Sequence, residues 1–209
     1  MKRLLIFASG SKDGGGSGFQ ELVENSRIGV ITDAEIVAVV SNHADGGVRK
    51  RAERLGIPFI YFVPTGQAGE YTTLVKQQKA DWVLLSGWLK KTTGLDPCRT
   101  INIHPGPLPE FGGPQMYGHR VHEAVINAFR AGKITESAVC MHFVTDEYDR
   151  GPVFFRYPVL IRPDDTAETL AERVNKIEHG WQSYVTNLVI HGKIHWDGRD
   201  PRSLRGTAL

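Results

Sequence analysis

Short apolar runs alternate with amphipathic stretches through the first half of the chain. Residues 2–8 (KRLLIFA) end at Ser9-Gly10, and residues 34–40 (AEIVAVV) stop at Ser41-Asn42. Further runs occupy 58–63, 82–85 and 100–104. Runs of this length, bounded by turn residues, predict buried strands. Between them, 19–25, 46–55 and 71–79 carry helical spacing, and the second of these closes at Gly56, a normal helix stop. Strand–helix alternation predicts an α/β fold, a Rossmann-like doubly wound and mostly parallel sheet.

The second half changes character. Val121, Ala124, Val125, Ala128 and Phe129 form the apolar stripe of a helix starting near Tyr117. Residues 137–144 and 153–161 read as an antiparallel pair of strands joined by the polar turn 145–152. Leu170, Val174, Ile177, Trp181, Tyr184, Val185 and Leu188 then mark a long helix, with Asp165 and Glu168 spaced as its capping box. From Trp196 the chain turns polar and basic. With no repeat, low-complexity segment or linker, the expectation is one domain over 1–209 with a peripheral tail at 196–209.

Composition narrows the function classes. The chain has 41% hydrophobic and 23% charged residues and a net charge of +2. So weak a field gives no support for nucleic acid or an acidic membrane as partner. The basic run 48–54 is interrupted by Glu53 and reads as a solvated helix face. Cys98 and Cys140 stand far apart, without disulfide or zinc spacing. The opening apolar run is too short for a signal peptide or a membrane helix, so a cytoplasmic location is expected.

Candidate chemistry begins with Asn102 and His104. Two apart on a strand, they project from the same face, just before Pro105 turns the chain away. A carboxamide and an imidazole are suitable donors to an oxyanion formed in acyl transfer. Residues 9–18 form a glycine-rich loop between the first strand and the first helix. Its backbone N–H groups, the helix N-terminus and Lys12 suit a phosphate; the bland alternative is a flexible surface turn. No Gly-Lys-Ser/Thr or Gly-x-Gly-x-x-Gly spacing is present, and strand two ends in Ser41-Asn42 rather than an acid, which disfavours a dinucleotide. Asp149 lies in the 145–152 turn, either as a turn former or as a carboxylate orienting a histidine. Trp88 and Leu89, following Ser86-Gly87, make either a wall for a flat heterocycle or ordinary core. His119 and His122 read as helix surface near a pocket, and His142, on one strand face with Cys140, as a core or groove residue. His191 and His195 bracket Gly192 in a stretch unsuited to a stable helix. No carboxylate cluster joins either histidine pair, so no metal is expected.

Several strings, taken in order, resemble the folate-dependent formyltransferases over nearly the whole chain. They are Asn102-Ile-His104-Pro, the stretch from Met116 to Ala124 (MYGHRVHEA), His142 to Asp149 (HFVTDEYD) with Gly151-Pro152, and Ile177-Glu178-His179. The closest branch is the one that formylates glycinamide ribonucleotide in purine synthesis. The resemblance implies 10-formyltetrahydrofolate as co-substrate and glycinamide ribonucleotide as acceptor. It implies Asn102, His104 and Asp149 as the catalytic trio, with a cationic His104 sharing the oxyanion and Asp149 keeping it charged. It places the substrate phosphate at Gly10, Ser17 and Gly18, and Glu178 near the glycinamide. The folate would contact Trp88, Leu89, Lys90, Val144 and Asp146. A monomer and a homodimer both stay open, as do a formyltetrahydrofolate hydrolase, a sugar-nucleotide N-formyltransferase and a silent nucleotide-binding module. The chain departs from the pattern at a longer first loop, at Gly18 where an Asn is usual, at Ala68 and Lys90 in place of Arg, and at Arg150 in place of Gly. Gly106-Pro-Leu-Pro109 stands where Ser-Leu-Leu-Pro is common.

Overall fold

Seven strands form one sheet in the computed structural model, which describes residues 1–208, in the order β3-β2-β1-β4-β5-β6-β7. The strands are β1 (Lys2–Phe7), β2 (Ala34–Ser41), β3 (Phe59–Tyr61), β4 (Trp82–Ser86), β5 (Thr100–His104), β6 (Glu136–Phe143) and β7 (Val153–Leu160). β1 to β5 pair in parallel, while β6 runs antiparallel to both β5 and β7. This is the expected mostly parallel sheet with an antiparallel pair in the second half.

Five helices connect these strands: α1 (Ser17–Arg27), α2 (Gly47–Leu55), α3 (Glu70–Gln78), α4 (His119–Arg130) and α5 (Ala167–Ile190). Side chains alternate across β1. Leu4 and Ile6 join the core layer that holds the buried residues of α1, α2, α4 and α5, whereas Leu5 and Phe7 meet α3. A strand covered on both faces has to be apolar at every position, which is why β1 and β4 read as unbroken hydrophobic runs. Among the described residues no helix is long and apolar enough to cross a membrane.

Three local expectations are corrected. α5 is capped by Thr166, whose side chain accepts from the Thr169 backbone N–H while the Thr169 hydroxyl accepts from the Thr166 N–H. Asp165 instead binds Arg173 through both carboxylate oxygens, at 2.6 and 2.9 Å. α4 begins at His119, not near Tyr117, because Gly118 holds φ 56° and breaks the helical turn. The C-terminal stretch is not wholly peripheral. His195 and Arg205 exchange two backbone hydrogen bonds, and buried Trp196 lies 5.8 Å from the Phe143 ring.

The order of the parallel strands reverses at β1, with β2 on one side and β4 on the other. Ligands of doubly wound sheets bind at that switch point, outside the carboxyl ends of the strands. The glycine loop after β1, Ser86-Gly87 after β4 and His104 at the end of β5 all lie there.

Candidate active site

A cleft of about 660 Å³ opens at this edge. Gly10, Ser17, Gly18, Trp88, Leu89, Asn102, His104, Asp149 and Glu178 all line it. A smaller recess of about 50 Å³ adjoins it, lined by Trp88, Lys90, Val144, Asp146 and His142. Asn102, Trp88, Tyr148 and Asp149 border both spaces, so the candidate trio sits where two compartments meet. Lys12 is exposed and lines neither, which corrects its expected place as an extra cation in the phosphate seat.

β5 fixes two of the three groups. Opposite it, β6 places His142 directly across from Asn102 and Cys140 across from His104. Cross-strand partners share a face, and the Asn102 Nδ2 lies 3.0 Å from His142 Nε2. His142 Nδ1 is 2.7 Å from the Phe143 carbonyl. The Nδ1–H donates to that carbonyl, which turns Nε2 toward the Asn102 amide. One Asn102 N–H is thus anchored and the other is left for a ligand. His142, read from the sequence as a core or groove residue, is a working neighbour of the trio. The register of β5 against β6 is the signal that reveals it.

Asp149 comes from the turn beyond β6. It holds φ 52°, in the left-handed region that Asp tolerates better than most residues. The following Gly151 packs so closely that a Cβ there would overlap the Phe143 carbonyl. That close approach folds the turn back over β5. Asp149 Oδ2 accepts from the Gly113 N–H at 2.9 Å and lies 3.8 Å from His104 Nδ1, while Oδ1 is 3.4 Å from His142 Nε2. Burial alone would raise this carboxyl, but His142, His104 and the Gly113 N–H together hold it below its ordinary value. It is anionic at neutral pH.

His104 is buried, and burial holds its pKa below the ordinary value; Asp149 and the Phe111 carbonyl oppose that shift, and His142 adds to it. The expectation of a cationic His104 at rest is therefore corrected. Its Nε2 lies 2.8 Å from the Phe111 carbonyl, to which the N–H donates. The Nδ1 lone pair is consequently turned toward Asp149. A neutral imidazole with a free nitrogen beside a carboxylate is a proton acceptor whose cation is stabilised once formed.

The rest of the cleft is rich in donors. No side chain caps the start of α1, whose N-cap, Gly16, is left-handed at φ 81°. Gly10 and Gly15 also hold positive φ, and the loop is tied by Ser11 N–H to Gly14 O at 2.8 Å. Such a turn brings backbone N–H groups to an anion. Ser17 Oγ is 3.1 Å from His179 Nε2, linking α1 to α5. On α5, Glu178 still meets the cleft, yet burial pushes its carboxyl up to about 7, against a weak contact from Asn175. The expectation of His122 on a helix surface fails: it is 5% exposed, and its Nδ1 is sealed without a partner. Burial first, then His119 and His104, push it down to about 4. His119 does lie at the surface, beside Glu123 and Glu168.

Trp88 is held by its Nε1–H to the Tyr71 hydroxyl at 3.2 Å and packs 5.2 Å from Phe7. It is core and cleft wall at once. Leu89 is more exposed, at the cleft rim. Asp146 accepts from the Gly94 N–H at 2.9 Å, which ties the recess wall to the loop after β4.

Comparison with known proteins gives a consistent set of relatives. The family model described as formyl transferase matches residues 2–188. Phosphoribosylglycinamide formyltransferase of Bacillus subtilis is 30% identical over 91% of this chain and 95% of its own length. The chloroplastic phosphoribosylglycinamide formyltransferase of Arabidopsis thaliana is 32% identical over 93% of this chain and 68% of its own. The solved glycinamide ribonucleotide transformylase 1 of Symbiobacterium toebii superposes with a TM-score of 0.81 at 26% identity, covering 99% of this chain and 94% of that one.

Proposed function

The chain belongs to the formyl transferase family, and from that premise we propose that it transfers the formyl group of 10-formyltetrahydrofolate to the amine of glycinamide ribonucleotide, a step of purine biosynthesis. One observation carries this reading: Asn102, His104 and Asp149 converge where a donor-lined cleft meets an aromatic-walled recess. The ribonucleotide occupies the cleft, with its phosphate at Gly10, Ser17 and Gly18. The folate ring lies where the recess opens into the cleft, against Trp88, Leu89, Lys90, Val144 and Asp146.

The acceptor amine must be unprotonated to attack. Glu178, with its carboxyl near 7, takes the ammonium proton at neutral pH. The amine nitrogen then bonds to the formyl carbon, and the carbonyl electrons move to oxygen. The unanchored N–H of Asn102 donates to that oxyanion, a contact typically worth about 3–4 kcal/mol. His104 Nδ1 accepts the proton that the new C–N bond makes acidic. The imidazolium is held by Asp149 until the proton passes to the departing folate nitrogen as its bond to carbon breaks. Glu178 gives its proton up to solvent, and each group returns to its starting state.

Turnover with a 10-formylfolate tests the reading, comparing glycinamide ribonucleotide, a sugar amine and water as acceptors. Transfer dependent on the ribonucleotide is expected. Folate consumption that ignores the ribonucleotide would reject the assignment in favour of a hydrolase.

A further inference from the structure

Gln182 lies one helical turn beyond Glu178 on α5, so both face the same cleft. It is 3% exposed. Its Oε1 accepts from the Ser86 hydroxyl at 3.3 Å, but its amide N–H₂ has no partner in the protein. That nitrogen is not sealed from solvent, so it is open to the cleft, where a ligand oxygen can take the place of water. The oxygen is committed to Ser86, so only the donor end faces the cleft.

Gly18 makes the arrangement fit. A Cβ at this position would overlap the Ser86 Oγ and come within 3.0 Å of Gln182 Oε1. Gly18 is not in the left-handed region, so the glycine answers to space and not to backbone conformation. Ser86 and the Gln182 carboxamide, which comes from α5, fill the space that a side chain at 18 would need. Around it lie the uncapped start of α1 and the Ser17 hydroxyl, donors directed into one corner of the cleft.

We propose that Gln182 is a specificity-determining residue, whose free amide N–H₂ donates to an oxygen of the acceptor's sugar-phosphate end. The assignment rests on the formyl-transfer reading of the cleft and adds a donor at the acceptor's end of it. Gln182→Met keeps the length and removes the donor. Gln182→Glu places a carboxylate beside the phosphate.

Two measurements test it. By calorimetry, ribose 5-phosphate binds Gln182→Met on the order of tenfold more weakly than wild type, as loss of a hydrogen bond to a charged group requires, and Gln182→Glu more weakly still. In turnover, the KM for glycinamide ribonucleotide rises by the same factor while the KM for the formylfolate stays put. Unchanged binding of ribose 5-phosphate by a normally folded Gln182→Met protein overturns the proposal. So does a parallel rise in both KM values. Wild-type turnover with the ribonucleotide reports separately on the formyl-transfer reading, because the calorimetry needs no activity.

Discussion

Asp149→Asn isolates a charge and leaves the geometry around it in place. Asn tolerates the left-handed backbone at 149 as Asp does, and its carbonyl oxygen can still accept from the Gly113 N–H. What disappears is the anion 3.8 Å from His104 Nδ1. Opposite unit charges at that separation interact by about 4 kcal/mol at an effective dielectric near 20. Burial keeps His104 neutral in the ground state, so this energy is realised only when the imidazole takes its proton during the reaction. An interaction confined to the transition state appears in kcat, not in substrate affinity. The expected result is a kcat lower by on the order of a thousandfold, with both KM values within a few-fold of wild type. Steady-state formyl transfer at pH 7.5, with a thermal melt to confirm folding, measures it. A drop in kcat of less than tenfold in a folded variant would refute the reasoning. So would a loss that resides entirely in KM.

Two further outcomes follow from buried groups outside the trio. His122 is pushed from 6.5 to about 4, so between those pH values the unfolded chain binds a proton that the folded chain refuses. Folding stability therefore falls as pH drops through this window, by about 3 kcal/mol from this residue alone. Urea titrations from pH 7.5 to 4.5 should show the slope in wild type and a flatter one in His122→Leu; equal slopes would contradict the assignment. Gly151→Ala forces a methyl against the Phe143 carbonyl, at a cost of about 2 kcal/mol. It should also lower kcat, since the turn it distorts carries Asp149. A variant with wild-type melting and wild-type rate would show that the turn relaxes freely.

The sheet was legible because its strands are buried on both faces and read as apolar runs ended by turn residues. The core face of α5 was less so. Gln182, Ser183 and Thr186 are buried there, while Ile177 and Trp181 are only half covered. Polar residues on a buried face break the apolar period, and here Gln182 meets the cleft while the Ser183 hydroxyl accepts from Asn25 in the last turns of α1. The misplaced cap has a different cause. Asp165 and Glu168 satisfy the spacing of a capping box, but Arg173, two turns further on, competes for the Asp165 carboxylate and wins with a bidentate pair. Only tertiary geometry decides between two partners for one acid.

The site divides along the same line. Asn102 and His104 could be placed together because a two-residue repeat on a strand is a local rule. Asp149 could be joined to them only through resemblance, since nothing local in an acidic turn says which strand it folds over. Gly151 is what decides it, through a contact between backbone atoms that no pattern of side chains records. His142 was hidden for the opposite reason. Its position on a strand was clear, but its partner depends on the pairing of β5 with β6, and a slip of one residue would have turned it to the other face of the sheet. The protonation of His104 follows from the same enclosure. A nearby carboxylate argues for a cation, but the walls that bring the carboxylate close also exclude water, and here exclusion prevails. In the proposed mechanism His104 is consequently neutral at rest and charged only while the formyl group moves, an order that suits acyl transfer to an amine.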